Sequence, residues 1–221
     1  RTGASLRRGL ELLGETFCSG LRFVCSDLWQ PYLKVLAEQA GAAVHVLDRF
    51  HIMKQLGEAI DDVRAAEIRR MKQDGYEPVL KHSRWCLLKR PENLTDRQQV
   101  KLAWIAKTDP RLHRAYLLKE GLRVVFQMPH DQAIEALDRW LAWARRCRIE
   151  PFVKLARSIT KHRASILAAI ENGLSNGLIE SVNTKIRLIT RIAFGFRSIP
   201  ALIALLMLSL GGHRPALPGR N

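Results

Sequence analysis

Acidic residues are scarce where this chain is most basic. Of 221 residues, 36 are Lys or Arg and 21 are Asp or Glu, a formal net charge of +15. Beyond Glu150 the only acids are Glu171 and Glu180, and none follows Glu180. Lys185, Arg187, Arg191, Arg197, Arg214 and Arg220 therefore act without nearby neutralisation. Such a surface favours phosphate, because cations that neutralise a nucleic-acid backbone release its counterions. A ribosomal or tail-type protein can be as basic, but an apolar fraction of 47% belongs to a folded globule.

Other absences narrow the field further. The four cysteines, Cys18, Cys25, Cys86 and Cys147, form no C-x-x-C pair. A zinc ribbon or disulfide framework is not indicated, and a reducing cytoplasm fits. Cys25 sits in an apolar run and reads as a small buried hydrophobe. No signal peptide opens the chain, and its most apolar stretch, Ala201 to Leu210, is too short to span a bilayer and reads as a buried helix. There is no Gly-rich phosphate loop, no Ser-His-Asp or Cys-His nucleophile motif, no internal repeat and no low-complexity tract. The chain opens on Arg1 rather than Met, as a piece of a longer protein would.

What is present begins with a strand–helix–strand pattern. Ala4 to Glu15 reads as a helix with Leu6, Leu10 and Leu13 on one face. An apolar run from Leu21 ends at Asp27, a helix runs from about Pro31 to Gln39 and stops at Gly41, and a second apolar run, Ala43 to Leu47, ends at Asp48. This is a βαβ unit with parallel strands, which places Asp27 and Asp48 at the same sheet edge, where open α/β sheets bind ligands. From Ile52 the period becomes helical. Ile52, Leu56, Ile60 and Val63 make one stripe, Ile134, Leu137, Leu141 and Ala144 another, and Phe152, Leu155, Ile159, Ile166 and Ile170 a third. Pro78, Pro91, Pro110, Pro129 and Pro151 cut this region into short helices. The reading is an α/β chain, mostly α, with residues 1–51 as the first part of a core, 52–172 as an all-helical insertion and 173–221 as the last part, with a basic helix and a loose tail.

That basic helix, Leu178 to about Ile192, carries Ile179, Val182, Ile186, Ile189 and Ala193 on its apolar face. Glu180, Asn183, Thr184, Arg187 and Arg191 share the opposite face, and Asn176 suits the N-cap. An acid followed by Asn and two Arg suits a metal beside a DNA backbone; an ordinary solvated face with a Glu180–Arg187 contact looks the same. Asp27 and Asp48 each have a capping alternative too, since Asp after a strand commonly caps the next helix. Asp48 and His51, three apart, form either an outer-shell hydrogen-bonding pair or a cap. Taken together, three acids in one basic fold point to phosphodiester chemistry, because Mg²⁺ and Mn²⁺ prefer hard carboxylate oxygens. Lys81, Arg84, Lys89 and Arg90 flank Trp85, either as a phosphate contact with an aromatic inside it or as a solvated face. Core packing is the expectation for Trp85, Trp104, Trp140 and Trp143, core and edge packing for Trp29 and Tyr32, and a structural role for His45.

Three segments carry a family resemblance: Val24-Cys25-Ser26-Asp27-Leu28-Trp29-Gln30-Pro31-Tyr32, His45-Val46-Leu47-Asp48-Arg49-Phe50-His51, and Gly177-Leu178-Ile179-Glu180-Ser181-Val182-Asn183-Thr184-Lys185. With Ser83-Arg84-Trp85, Lys89, Pro91-Glu92-Asn93-Leu94-Thr95 and Ile192-Ala193-Phe194-Gly195-Phe196-Arg197, they resemble the DDE transposases of bacterial insertion sequences, the ISL-three family in particular. The resemblance implies a partial ribonuclease-H-like core, βαβ plus C-terminal helices, interrupted by the helical insertion. It makes Asp27 and Glu180 catalytic metal ligands, the second and third acids of the triad, with Asp48 and His51 in support. Asn183, Lys185, Arg187, Arg191, Arg197, Arg84 and Trp85 would contact DNA. It also implies Mg²⁺ or Mn²⁺, two ions in the complete enzyme, and double-stranded DNA (transposon terminal inverted repeats and target) as substrate. The protein would act as a homo-oligomer on paired ends, in the cytoplasm near the nucleoid and away from membranes.

One departure bears on activity. In that fold the first acid lies on a strand ahead of the opening helix; here no candidate precedes Asp27, and Glu11 and Glu15 fall in the wrong element. The zinc-binding and helix-turn-helix segments of the family are also missing. The expectation is a C-terminal piece of a transposase, inactive alone, with a DNA-binding remnant as the alternative and a site made by Asp27, Asp48 and Glu180 as a further one. An RNA-binding helical protein is a third reading.

Overall fold

The computed structural model describes residues 2–26, 29–76, 80–174 and 177–210, with the side chains of 178–180 excepted. The chain divides into two compact units, Arg1–Ser175 and Asn176–Asn221.

The first unit opens with two short helices, α1 (Gly3–Leu13) and α2 (Glu15–Ser19). Sequence periodicity predicts one continuous helix here. The break comes at Gly14, whose φ of 85° lies in the left-handed region that glycine adopts without steric cost. Leu13, expected on the buried face, is 55% exposed. Strand β1 (Phe23–Ser26), helix α3 (Gln30–Gln39) and strand β2 (Val44–Leu47) then form the expected βαβ unit. The strands pair in parallel, from Phe23 opposite Val44 to Ser26 opposite Leu47. Gly41 is required at the end of α3, because a Cβ there would lie 2.8 Å from the Ala37 carbonyl oxygen.

Helix α4 (Arg49–Gln73) leads into a helical block of α5 (Arg84–Leu88), α6 (Asp96–Thr108), α7 (Pro110–Val125), α8 (His130–Arg146), α9 (Glu150–Lys161) and α10 (Arg163–Asn172). The prolines act as starters: Pro110 and Pro151 occupy first turns, where a missing N–H costs nothing, and Pro129 is an N-cap. Pro78 lies outside the described residues. All four residues of the α4 stripe are buried, as are Leu137, Leu141 and Ala144 of the second; the third stripe is divided by His162 between α9 and α10. One core cluster runs from Leu47 at the end of β2 through all these helices to Leu167 in α10, and α10 packs on β2. Burying one such Leu, Ile or Phe contributes roughly 1.5–3 kcal/mol, so most of the unit's apolar stabilisation lies in this block.

In the second unit, α11 (Gly177–Ile192) and α12 (Ile199–Leu210) pack on each other. The expected helix boundaries at Leu178 and Ile192 match. Val182, Ile186 and Ile189 are half-buried, while Ala193 falls just past the helix in an exposed turn. Ala201 to Leu210, expected to be a buried helix, is helical and largely exposed within this unit. Ile203 is 53% exposed, and Met207 and Leu208 are 63% exposed. A helix that is apolar all round needs cover on every side, and one neighbouring helix can cover only one.

Candidate functional site

The parallel register brings the C-terminal ends of both strands to one edge. The Asp48 N–H donates to the Ser26 carbonyl at 3.2 Å, continuing the ladder one step past β2. Asp48 is 5% exposed, and its Oδ1 accepts the Phe50 N–H at 3.1 Å, so it caps α4. The His51 N–H in turn donates to the Asp48 carbonyl at 3.0 Å, a main-chain contact that leaves the half-buried imidazole uncommitted to the Asp48 carboxylate. Across the strand pair, burial and then the Asp48 charge push the Cys25 thiol above its ordinary range. Cys25, expected to be buried, is half-buried. All four cysteines are free.

His45 has a structural role of a kind that no spacing reveals. Its Nε2 lies 2.7 Å from Ser26 Oγ, and its Nδ1 lies 3.0 Å from Ser165 Oγ in α10, 120 positions away in sequence. The imidazole thus ties β1, β2 and α10 together directly behind the edge that Asp48 occupies. Burial, then the neighbouring His162, hold it below its usual pKa.

Of the two expected metal ligands, Asp27 lies outside the described residues, as does Asn176, the expected N-cap. Glu180 falls in the first turn of α11, and its side chain is likewise outside what is described. Among the described residues no three His, Cys, Asp or Glu side chains come together as a metal-binding group. The donor chemistry of the acids is nevertheless suited to hard divalent ions.

The basic candidates fall in two places. On α11, Asn183, Lys185, Arg187 and Arg191 are all exposed. Arg197 is exposed too, in the turn after the helix, which runs through Phe194 at φ 53° and Gly195 at φ 99°. The second place is α5. Trp85, expected in the core, is 56% exposed: this five-residue helix buries Cys86 and Leu87, and Trp85 takes the outer side. The Arg84 guanidinium lies 5.6 Å over the Trp85 ring and pairs with Asp61 at 3.2 Å. Trp140 is in the core and donates to the Leu118 carbonyl at 2.8 Å, and Trp104 packs against the core. Trp143 is 39% exposed, because the buried face of α8 is taken by Leu137, Trp140, Leu141 and Ala144. Trp29 and Tyr32 pack edge to face at 4.5 Å between ring centres. Among the described residues no helix is long and apolar enough to cross a membrane.

Comparison with known proteins gives the family of the chain. A family model described as "Transposase", that of the DDE ISL3 group, matches residues 1–206. The chain is 48% identical over 240 aligned residues to the transposase for insertion sequence element IS1557 of Mycobacterium tuberculosis, covering 99% of this chain and 54% of that protein. It is 28% identical over 200 residues to the transposase for insertion sequence element IS1001 of Bordetella parapertussis, covering 89% of this chain and 49% of that one. No solved structure matches. The chain is a DDE transposase sequence, and it belongs to the ISL3 family. It spans about half the length of the curated relatives it matches.

Proposed function

We propose that this chain contributes the second and third acids of a metal-dependent transposase that cleaves DNA at insertion-sequence ends and transfers the cut strands. The family match over residues 1–206 carries this reading. The parallel register supports it, because the last pair is Ser26 opposite Leu47, and these two residues immediately precede Asp27 and Asp48 in sequence. On this reading the βαβ unit and α11 belong to a ribonuclease-H-like core, with the block from about residue 52 to 172 inserted between them.

Asp27 and Glu180 would hold the divalent ions, two in the complete enzyme; bound Mg²⁺ or Mn²⁺ would supply charge stabilisation at the attacked phosphate and an activated oxygen nucleophile. Asp48 holds the sheet edge through its cap and its ladder hydrogen bond, and its buried charge, with His51, tunes that edge. Asn183, Lys185, Arg187 and Arg191 on α11, with Arg197 beyond it and Arg84 and Trp85 on α5, position the DNA backbone, since phosphate contacts set register without reading sequence. The protein works in the cytoplasm as a homo-oligomer on paired ends.

The test is strand cleavage and joining on terminal-repeat DNA in Mg²⁺ or Mn²⁺, by the protein expressed from its natural reading frame. Glu180→Gln is expected to abolish both steps while leaving DNA binding nearly intact. Wild-type cleavage by that variant would sink the assignment of Glu180. The 221-residue chain tested alone is expected to bind duplex DNA without cutting it. Metal-dependent cutting by this chain that is lost in Asp48→Asn would instead favour a site built from Asp27, Asp48 and Glu180.

A further inference from the structure

We infer that the helical block carries its own phosphate pocket, built from residues other than the DNA contacts considered above. A cavity of about 340 Å³ opens where α6 meets α7 and α8 meets α9, lined by Arg70, Arg111, Arg114 and Arg148 with Asp109 and Cys147. Two of these arginines are fixed from behind. Glu67, 1% exposed, pairs with Arg70 at 2.8 Å and Arg111 at 3.1 Å. Asp109 caps α7 by accepting the Leu112 N–H at 2.9 Å. The other two are barely used: Arg114 reaches only the Cys147 carbonyl at 3.4 Å, and Arg148 has no side-chain partner among the described residues. Four guanidinium groups thus face two carboxylates, and the positive excess rests on the arginines, since Asp109 caps α7 and Glu150 lies in the first turn of α9.

Arg148 is also strained. Its φ is 60°, a conformation that non-glycine residues avoid and that persists where the surroundings enforce it, often at functional sites. Cys147 and Ile149 bracket it, with the Ile149 N–H donating to the Cys147 sulfur at 3.4 Å. Both flanking residues are buried, and the arginine between them is exposed. A planar guanidinium with spare donors matches the two free oxygens of a phosphodiester. The occupant is a backbone phosphate of duplex DNA; this rests on DNA being the partner, not on the catalytic assignment.

The experiment measures binding of the 221-residue chain to a random-sequence duplex and a terminal-repeat duplex across a salt series. Arg148→Gly removes the charge and suits the left-handed backbone, so the variant should melt at or above the wild-type temperature. Arg114→Gln is the second variant. Each should weaken both duplexes alike, and the slope of log affinity against log salt should fall by about 1. Unchanged affinity and slope in both variants, or no duplex binding by the wild type, would overturn the pocket. Stabilisation of the wild type by inorganic phosphate without any effect of these variants on duplex binding would make it a small-anion site and equally reject DNA. Loss of cleavage in Glu180→Gln has no bearing on these slopes, so the two readings fail separately.

Discussion

The two units of this chain spend their apolar residues differently. In residues 1–175 the main cluster runs from Leu47 to Leu167, with Ile60, Leu80, Ile105, Leu112, Leu118, Leu122, Leu137 and Phe152 all at 0% exposure, and a small one joins Leu10, Cys18 and Val35. In the second unit, none of the side chains described is fully buried, and α12 presents Ile199, Ile203, Met207 and Leu208 at more than half exposure. Both stretches are hydrophobic; the difference is the number of neighbours. Seven helices and a strand pair can enclose one another's apolar stripes, whereas two helices enclose only the seam between them. The first unit therefore has a buried core of its own, which the described side chains of the second do not form.

The largest effect expected from that contrast is at Phe152. Phe152→Ala removes a fully buried ring from the centre of the cluster and should cost about 3–5 kcal/mol in urea or thermal unfolding. Ile203→Ala on α12 should change stability by no more than about 0.5 kcal/mol. Equal losses would erase the distinction between the units. Next comes Lys119, which is 5% exposed and donates to the carbonyls of Leu87 at 2.7 Å and Lys89 at 3.1 Å. It anchors the chain that leaves α5, and so the mount of Arg84 and Trp85. Burial pulls its pKa down, while its partner Glu120 works against that. Lys119→Met should cost about 1–3 kcal/mol, because it strands buried carbonyls and leaves Glu120 paired with Arg123 alone, and should raise hydrogen exchange at Leu87 to Arg90. Protection there equal to the wild type would show that the anchor is dispensable.

Much of this framework was legible in the sequence. Short apolar runs, then the 3.6 period, placed β1, α3, β2 and the buried stripes of α4 and α8 close to where they lie. Prolines marked the helix starts, since a residue without an N–H sits well in a first turn. What the sequence hid were interactions between distant positions. Ser165 meets His45 across 120 residues, and Glu67 gathers Arg111 from 44 residues away; periodicity carries no information about either. Trp85 and α12 misled for the same reason: composition reports how apolar a residue is but not whether the fold supplies a neighbour. In the candidate site, Asp48 was legible as a cap and as an acid at the sheet edge, and it occupies both positions at once.

That double role can be separated. Asp48→Ala removes the cap on α4 and should cost about 0.5–2 kcal/mol, whereas Asp48→Asn keeps a capping oxygen and should cost far less. If Asp48 only positions α4, the Asn variant should retain transposition in the protein expressed from its natural frame. If its buried charge serves the metal edge, the Asn variant should fold normally and lose activity, with the loss partly relieved at higher metal concentration. The Cys25 thiol gives an independent readout. Because the Asp48 charge contributes to raising its pKa, Cys25 should react faster with a thiol reagent in Asp48→Asn than in the wild type.

The smallest effect sought is a pH dependence of the framework behind that edge. His45 is held below the ordinary imidazole value of about 6.5 by burial first and by His162 second, and His162 is itself lowered by burial and then by Lys161. A histidine whose folded pKa is depressed binds its proton more readily when unfolded. Its contribution is thus complete above the unfolded pKa, and it is lost as pH falls from about 6.5 toward the lower folded value. The wild type should therefore lose melting temperature between pH 7.5 and pH 5.5. His45→Gln should be less stable at pH 7.5, because it disturbs the bridge between Ser26 and Ser165, but should lose less on acidification. Carboxylates titrate in both proteins, so the difference between the two drops isolates the imidazole. Parallel melting curves across that range would mean that His45 keeps its proton equilibrium on folding, and the bridge from β1 to α10 would be a matter of packing rather than of a neutral ring held between two hydroxyls.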